Sequence, residues 1–342
     1  MSAFMGLCRN EWIKLNGRRR VLILALVMLV FVGGITALTV ANTPHTGNWQ
    51  TANRTQIQML KKSVAVLAAT PMPRQDRSRL EAGVTRQLAQ ERYLLVHDVP
   101  PASWYALPAA TVLVLGGLFE LFFLMFAWFA AETVAHERSE GTIKLILSRP
   151  ATRTAVLAAK AVTLFALSAV ALLFGVMVSY VVAGAIAGHW GGFGSHVALL
   201  RNAGGPMTPG NVVLLPAWLY LLLAWSVSLL AVAVAQGLGL VFSAVSRGVG
   251  AAVGLSLGVL LGLIIAGAIM GGLLHHPAWL NDFFFTHMTP APPVVGSAAG
   301  AGGPPTQGGY GQIATTIWVL ALWAGGLYTG AFVLFQRRDE LA

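Results

Sequence analysis

Glu132–Arg153, reading ETVAHERSEGTIKLILSRPATR, sets charged residues and a short amphipathic turn between two long apolar blocks. The flanking blocks, Leu107–Ala131 and Val156–Ala187, are each long enough for a helix to cross a bilayer, which takes about 20 apolar residues. The charged stretch between them reads as a cytoplasmic loop, the place where a membrane protein is gripped from inside the cell.

Outward from this loop, six apolar blocks can be counted: Val21–Ala41, Leu107–Ala131, Val156–Ala187, Val212–Val245, Val249–Leu274 and Ile313–Phe335. Lipid offers no partner to an open sheet edge, so runs of this length demand helices. Composition agrees. With 56% hydrophobic and 10% charged residues and a mean hydropathy of +0.71, the chain cannot cover a water-soluble globule with polar surface. The expected fold class is an all-α integral membrane protein with six transmembrane helices, forming a single domain over residues 1–342. The net charge of +10 is not a nucleic-acid signature, because the basic residues sit at block ends and in one loop rather than along one face. One cysteine, Cys8, excludes an intramolecular disulfide.

Arg18–Arg20 before the first block and Thr39-Val40-Ala41 at its end raise a cleaved signal peptide as an alternative. The run exceeds the usual apolar core of about 7–15 residues, and a segment containing Glu11 and Trp12 stands before it, so it is read as a retained anchor.

Short flanks set the orientation. Arg9, Lys14 and Arg18–Arg20 precede helix one, Arg138, Lys144, Arg149 and Arg153 lie between helices two and three, Arg247 separates four from five, and Arg337 and Arg338 follow six. All fall on one side, assigned to the cytoplasm together with both termini. The opposite side has Arg201 in its second loop and no Lys or Arg in its third. Its first loop, residues 42–106, carries eight, but loops longer than about 60 residues translocate largely regardless of charge.

That long outer insertion has helical order. Ile57, Leu60, Val64 and Leu67 repeat at helical spacing, as do Leu80, Val84 and Leu88, and Pro71-Met72-Pro73 separates the runs. The spacing predicts a helical hairpin outside the membrane. The third outer loop starts with Trp279 and Phe283–Phe285, suited to re-entrant helices, and turns Pro/Gly/Ala-rich from Pro290 to Gly311, the composition of a flexible segment. Before helix one, Phe4, Leu7, Cys8, Trp12 and Leu15 share one helical face with Arg9, Asn10 and Lys14 elsewhere, a pattern suited to the membrane surface. Trp49, Trp104, Tyr105, Trp190 and Trp279 are expected at interfaces. In helix five, Gly250, Gly254, Gly258 and Gly262 repeat every four residues and predict a helix-packing face.

Catalytic signatures are sparse. No G-x-x-x-x-G-K-[ST] phosphate loop occurs, so ATP hydrolysis by this chain is not expected. His136-Glu137-Arg138-Ser139-Glu140 lacks the second histidine of a zinc protease, and a solvated loop accounts for its charges. His275, His276, Asp282 and His287 match no defined metal spacing; interfacial histidines are the reading, and no metal site is assigned. Glu120 is the one carboxylate deep in a transmembrane block, either a functional group or a protonated side chain bonded to a neighbouring helix.

Glu140-Gly141-Thr142-Ile143-Lys144, followed by Leu145-Ile146-Leu147-Ser148-Arg149-Pro150, resembles the loop between helices two and three in permease subunits of ABC-2 type ATP-binding-cassette transporters. Asn10-Glu11-Trp12-Ile13-Lys14-Leu15 in an amphipathic N-terminal segment, six spans and re-entrant outer segments before the sixth match the same order of features. The resemblance implies a coupling helix within 132–155 that docks on a separate ATPase, through Glu140, Gly141, Thr142, Ile143, Lys144, Ile146, Leu147 and Arg149. It further implies ATP and Mg bound in that partner, a second permease copy as homodimer or heterodimer, and a bacterial plasma membrane. Physically, Gly141 permits a turn, Thr142 caps a short helix, Ile143, Ile146 and Leu147 form an apolar knob, Pro150 stops it and Thr152 opens the next helix. An exporter subunit is the leading reading. An ion-coupled secondary transporter using Glu120 is the alternative, opposed by the lack of detectable repeats between the halves; a membrane hydrolase lacks a nucleophile–base pair.

Overall fold

The computed structural model describes residues 2–17, 19–42, 47–69, 71, 74–142, 152–202, 208, 210–273, 311 and 313–337. An amphipathic helix α1 (Ser2–Gly17) leads into span one, built of α2 (Arg20–Val27), a π-helical turn (Met28–Val32) and α3 (Gly33–Ala41). Two helices, α4 (Trp49–Ala69) and α5 (Arg74–Val96), pack on each other as the expected helical hairpin. Span two combines α6 (Ala106–Val112), a second π-helical turn (Leu113–Gly117) and α7 (Phe119–Ser139). Spans three to six are α8 (Arg153–Ala187), α9 (Ala217–Val245), α10 (Val249–Leu273) and α11 (Ile313–Arg337). All six are long and apolar enough to cross a membrane.

The core forms where α7, α8 and α9 meet. Phe119, Phe122, Phe123 and Phe126 of α7 and Tyr220 of α9 are fully buried there. Their apolar area supplies the main driving force for bringing the helices together once inserted, through van der Waals contact rather than escape from water. Spans two to four are 50–56% buried, whereas one, five and six are 28%, 17% and 22% buried, so the last three present most of their surface outward.

Three expectations change. Span two does not end at Ala131: α7 continues to Ser139, carrying the charges of 132–139 as helix, for the reason given below. Span four starts at Ala217, because Val212–Pro216 forms a strand, β2, paired antiparallel with β1 (His196–Leu200), with Leu200 opposite Val212. Ala198 and Val212 of this pair pack with Leu94 and Val99 at the foot of the hairpin. Trp104 is buried with its ring 4.3 Å from that of His189, rather than placed in an interfacial belt, while Trp190 is exposed. In the hairpin, Ile57 and Leu60 are buried as expected and Leu80 is exposed.

Candidate functional site

The face that α1 turns to the bundle carries Phe4, Leu7, Cys8, Glu11, Lys14 and Leu15, with Trp12 and Ile13 exposed. Lys14 thus lies on the covered face and Trp12 outside it, the reverse of the expected arrangement. The cause is an ionic partner set. Lys160 of α8 donates to Glu11 Oε2 at 2.9 Å and to Glu137 Oε1 at 2.6 Å. Lys14 donates to Glu11 Oε1 at 2.8 Å and to the same Glu137 Oε1 at 2.7 Å. The Lys160 side chain is 1% exposed, those of Glu137 and Glu11 9% and 12%. Two carboxylates and two ammoniums cancel, which makes their burial tolerable; any one left unpaired would carry a large desolvation cost.

Burial pushes the Glu11 carboxyl up, but Lys160 first and Lys14 with it outweigh this and hold it below its ordinary 4.5. Burial likewise works against the Lys14 charge, and the hydrogen bonds from Glu11 and Glu137 overcome it, raising Lys14 above 10.5. The depressed acid contributes stability that is lost as pH falls through its folded value, and the raised base contributes stability lost as pH rises through its own. Glu11 and Lys14 are therefore held as a charged pair throughout the neutral range.

The next residue of α7 works on a different helix. Arg138 donates through Nη1 to the carbonyls of Ser243 and Ser246 and through Nη2 to that of Ala244, satisfying the C-terminal end of α9. One turn back, the Ser243 hydroxyl accepts from the Val134 and Ala135 amides at 2.9 and 3.0 Å. This requires the two backbones to come very close, and Gly239 allows it: a Cβ there would lie 2.5 Å from the Ala127 carbonyl oxygen. Glu137 and Arg138 are thus partnered inside the bundle, not solvated, which is why the helix runs past the predicted boundary.

Gly141 ends α7 in the left-handed conformation, φ 70°, with its amide donating to Arg138 O, and the Thr142 hydroxyl donates to Glu137 O at 3.2 Å. The turn expected at Gly141 is present, though Thr142 closes the helix behind it. His136 Nε2 stands 2.9 Å from Glu140 Oε1. Ile143, Lys144, Ile146, Leu147 and Arg149 lie outside the described residues, as do Pro150, Arg338, and His275, His276, Asp282 and His287; no metal-binding cluster occurs among the described residues. The chain re-enters the bundle at Thr152, whose hydroxyl accepts from the Ala155 amide as an N-cap. Arg153 reaches the Gln336 carbonyl at the end of α11. Among the described residues, Arg9, Lys14, Arg138, Arg153 and Arg337 gather, with α1, at one end of the bundle.

Among the described residues, Gly250, Gly254, Gly258 and Gly262 face open space: a Cβ on any of them meets none of their atoms within 4 Å. The buried stripe of α10 is instead Ala252, Ser256 and Leu260. Glu120 lies in the first turn of α7, just past the helix break at Leu118, and is exposed, with no hydrogen-bonding partner among the described residues. The bond to a neighbouring helix offered as one reading is absent among them. Glu120→Gln should accordingly leave the melting temperature of the solubilised chain unchanged; a clear drop would reveal a contact the fold needs.

Glu11, Lys14, Glu137, Lys160, Arg138 and the Gly239–Ser243 contact were missed in the sequence. One signal was present: Lys160 is the single charged side chain in Val156–Ala187, and such residues in a span pair with something.

Six helices long and apolar enough to cross a membrane, with ion pairs and hydrogen bonds tying α1, α7, α8 and α9 at one end, define a multi-pass membrane protein. The chain belongs to the ABC-2 family of transporters: the profile described as ABC-2 family transporter protein matches residues 5–340, nearly its full length. No curated protein matches it in sequence.

Proposed function

We propose that this chain is the export permease of an ABC-2 system driven by a separate ATPase, which binds ATP and Mg and docks on the loop beginning at Glu140. The observation that carries this is the Gly141-capped end of α7, held through Glu137 to α1 and α8 and through Arg138 to α9. A loop rooted in a rigid junction of four helices can pass a push from a docked partner to the whole bundle. A loop on a loose stalk would absorb it. The gathering of Arg9, Lys14, Arg138, Arg153 and Arg337 at this end supports a cytoplasmic placement, with the hairpin outside a bacterial plasma membrane. A second permease copy is the partner for the open glycine face of α10, where small residues admit close helix approach.

The test is capture of the ATPase and measurement of coupled transport. Ile143→Asp and Ile146→Asp each place a carboxylate in the partner's groove and should weaken capture at least about tenfold, since an unpaired buried charge costs several kcal/mol. Lys144→Ala, at the rim, should do far less. Wild-type capture and transport by both aspartate variants would mean that coupling runs elsewhere.

A further inference from the structure

A cavity of about 490 Å³ lies beneath the outer hairpin, roofed by α4 and α5 and floored by the outer parts of spans one, two and three. This volume is in the range that holds one small ligand. Its chemistry is lopsided. Asn53, Gln56, Gln87, Gln90 and Glu91 face it from the roof, apolar side chains such as Val40 and Val112 with the hydroxyls of Thr36 and Ser179 from below, and among the described residues no Lys, Arg or His lines it.

Two of the roof groups have unused hydrogen-bonding capacity. Asn53 is 3% exposed and donates through Nδ2 to Glu91 Oε2 at 2.6 Å, yet its buried Oδ1 accepts no hydrogen bond. A buried acceptor without a donor costs free energy, and the unused capacity here borders an open volume. Burial pushes the Glu91 carboxyl above its ordinary 4.5, the Asn53 hydrogen bond offsetting this only in part, and no cation of the described chain pairs with it. The site therefore offers amide and hydroxyl groups, one unused acceptor and one acidic group, and no cation among the described residues to balance an anion's charge.

We propose that this cavity binds an amphiphilic amine, its ammonium or N–H donors on Asn53 Oδ1 and Glu91 and its apolar body against spans one to three. Acidic amphiphiles of the same size are rejected, because a carboxylate or sulfonate end would face Glu91 with no counter-charge. This is a statement about binding and stands apart from the export reading, since it needs neither the ATPase nor the coupling loop.

The experiment uses the full chain alone in nanodiscs of neutral lipid, with empty nanodiscs subtracted for partitioning. Monodansylcadaverine is the amine probe and 6-(dansylamino)hexanoic acid, with the same five-methylene tether, its acidic counterpart, both read by dansyl emission. Saturable binding of the amine with at least about tenfold preference over the acid is expected, tenfold being 1.4 kcal/mol. Glu91→Gln should remove most of that preference. Asn53→Leu should weaken the amine; because that variant also breaks the tie between α4 and α5, Ala52→Phe serves as the second, filling the cavity without touching Asn53 or Glu91. Ala52→Phe should abolish saturable binding at an unchanged melting temperature. Equal binding of the two probes, no saturable amine binding, or wild-type binding by Ala52→Phe would each overturn the assignment.

Discussion

Lys160→Met should cost the solubilised chain about 3–5 kcal/mol, the range for removing one partner from a buried ion cluster, and should lower its melting temperature by on the order of 10 °C. Methionine fills the volume, so the loss is electrostatic: Glu11 and Glu137 would share Lys14 alone, whose side chain is 35% exposed and correspondingly screened. The damage should be directional. Glu11 is bonded to Lys160 and Lys14, and with one gone α1 loosens, exposing the Arg9 peptide bond to trypsin before the rest of the bundle opens. Adding Glu137→Gln to Lys160→Met should recover part of the loss, because the double variant restores neutrality with Glu11 and Lys14 as a pair. The wild-type chain should hold its melting temperature across the neutral pH range and lose it in acid below 4.5, as Glu11 takes up its proton. An unchanged melting temperature for Lys160→Met would show that the cluster does not hold α1.

Gly239→Leu is expected to be at least as damaging and to act on a different contact. Even the first carbon would sit 2.5 Å from Ala127 O, 2.8 Å from Ala130 Cβ and 2.9 Å from Ala131 N. Two of those three are backbone atoms of a buried helix and cannot swing aside, so α9 must retreat from α7. That retreat also breaks the Ser243 contact with the Val134 and Ala135 amides. Gly239→Ala should already destabilise by about 1–3 kcal/mol through overpacking, outweighing the gain of about 1 kcal/mol in helix propensity. Gly254→Ala is the comparator. Its Cβ meets open space among the described residues, so in the isolated monomer the propensity gain should dominate. If Gly239→Leu expresses and melts like the parent, the α7–α9 contact is not as close as described.

How much of this was legible in the sequence follows from the range of the interactions concerned. The six spans, the N-terminal helix, the helical hairpin, the turn at Gly141 and the cap at Thr152 rest on hydrophobic runs and local backbone preferences, which a short window contains. The end of span two does not. Whether Glu137 can stay in a buried helix depends on Lys14 and Lys160, which lie 123 and 23 residues away, and Lys160 also pairs with Glu11, 149 residues away. Without the partners, the same charges read correctly as solvent-loving. Val212–Pro216 failed differently: five residues without polar interruption fit a helix or a buried strand equally, and the choice was made by pairing with His196–Leu200. The glycine stripe of α10 showed that something can approach closely but not which surface does, and the buried stripe proved to be another.

The two π-helical turns, Met28–Val32 and Leu113–Gly117, give spans one and two a property the other four lack among the described residues. Each holds one residue of slack. Tightening such a turn to ordinary α geometry advances everything beyond it by a single register step, about 100° of rotation and about 1.5 Å of travel, without breaking the helix on either side. The anchored α7 can thus stay fixed while α6, beyond the break at Leu118, turns against it, like a bolt through a captive nut.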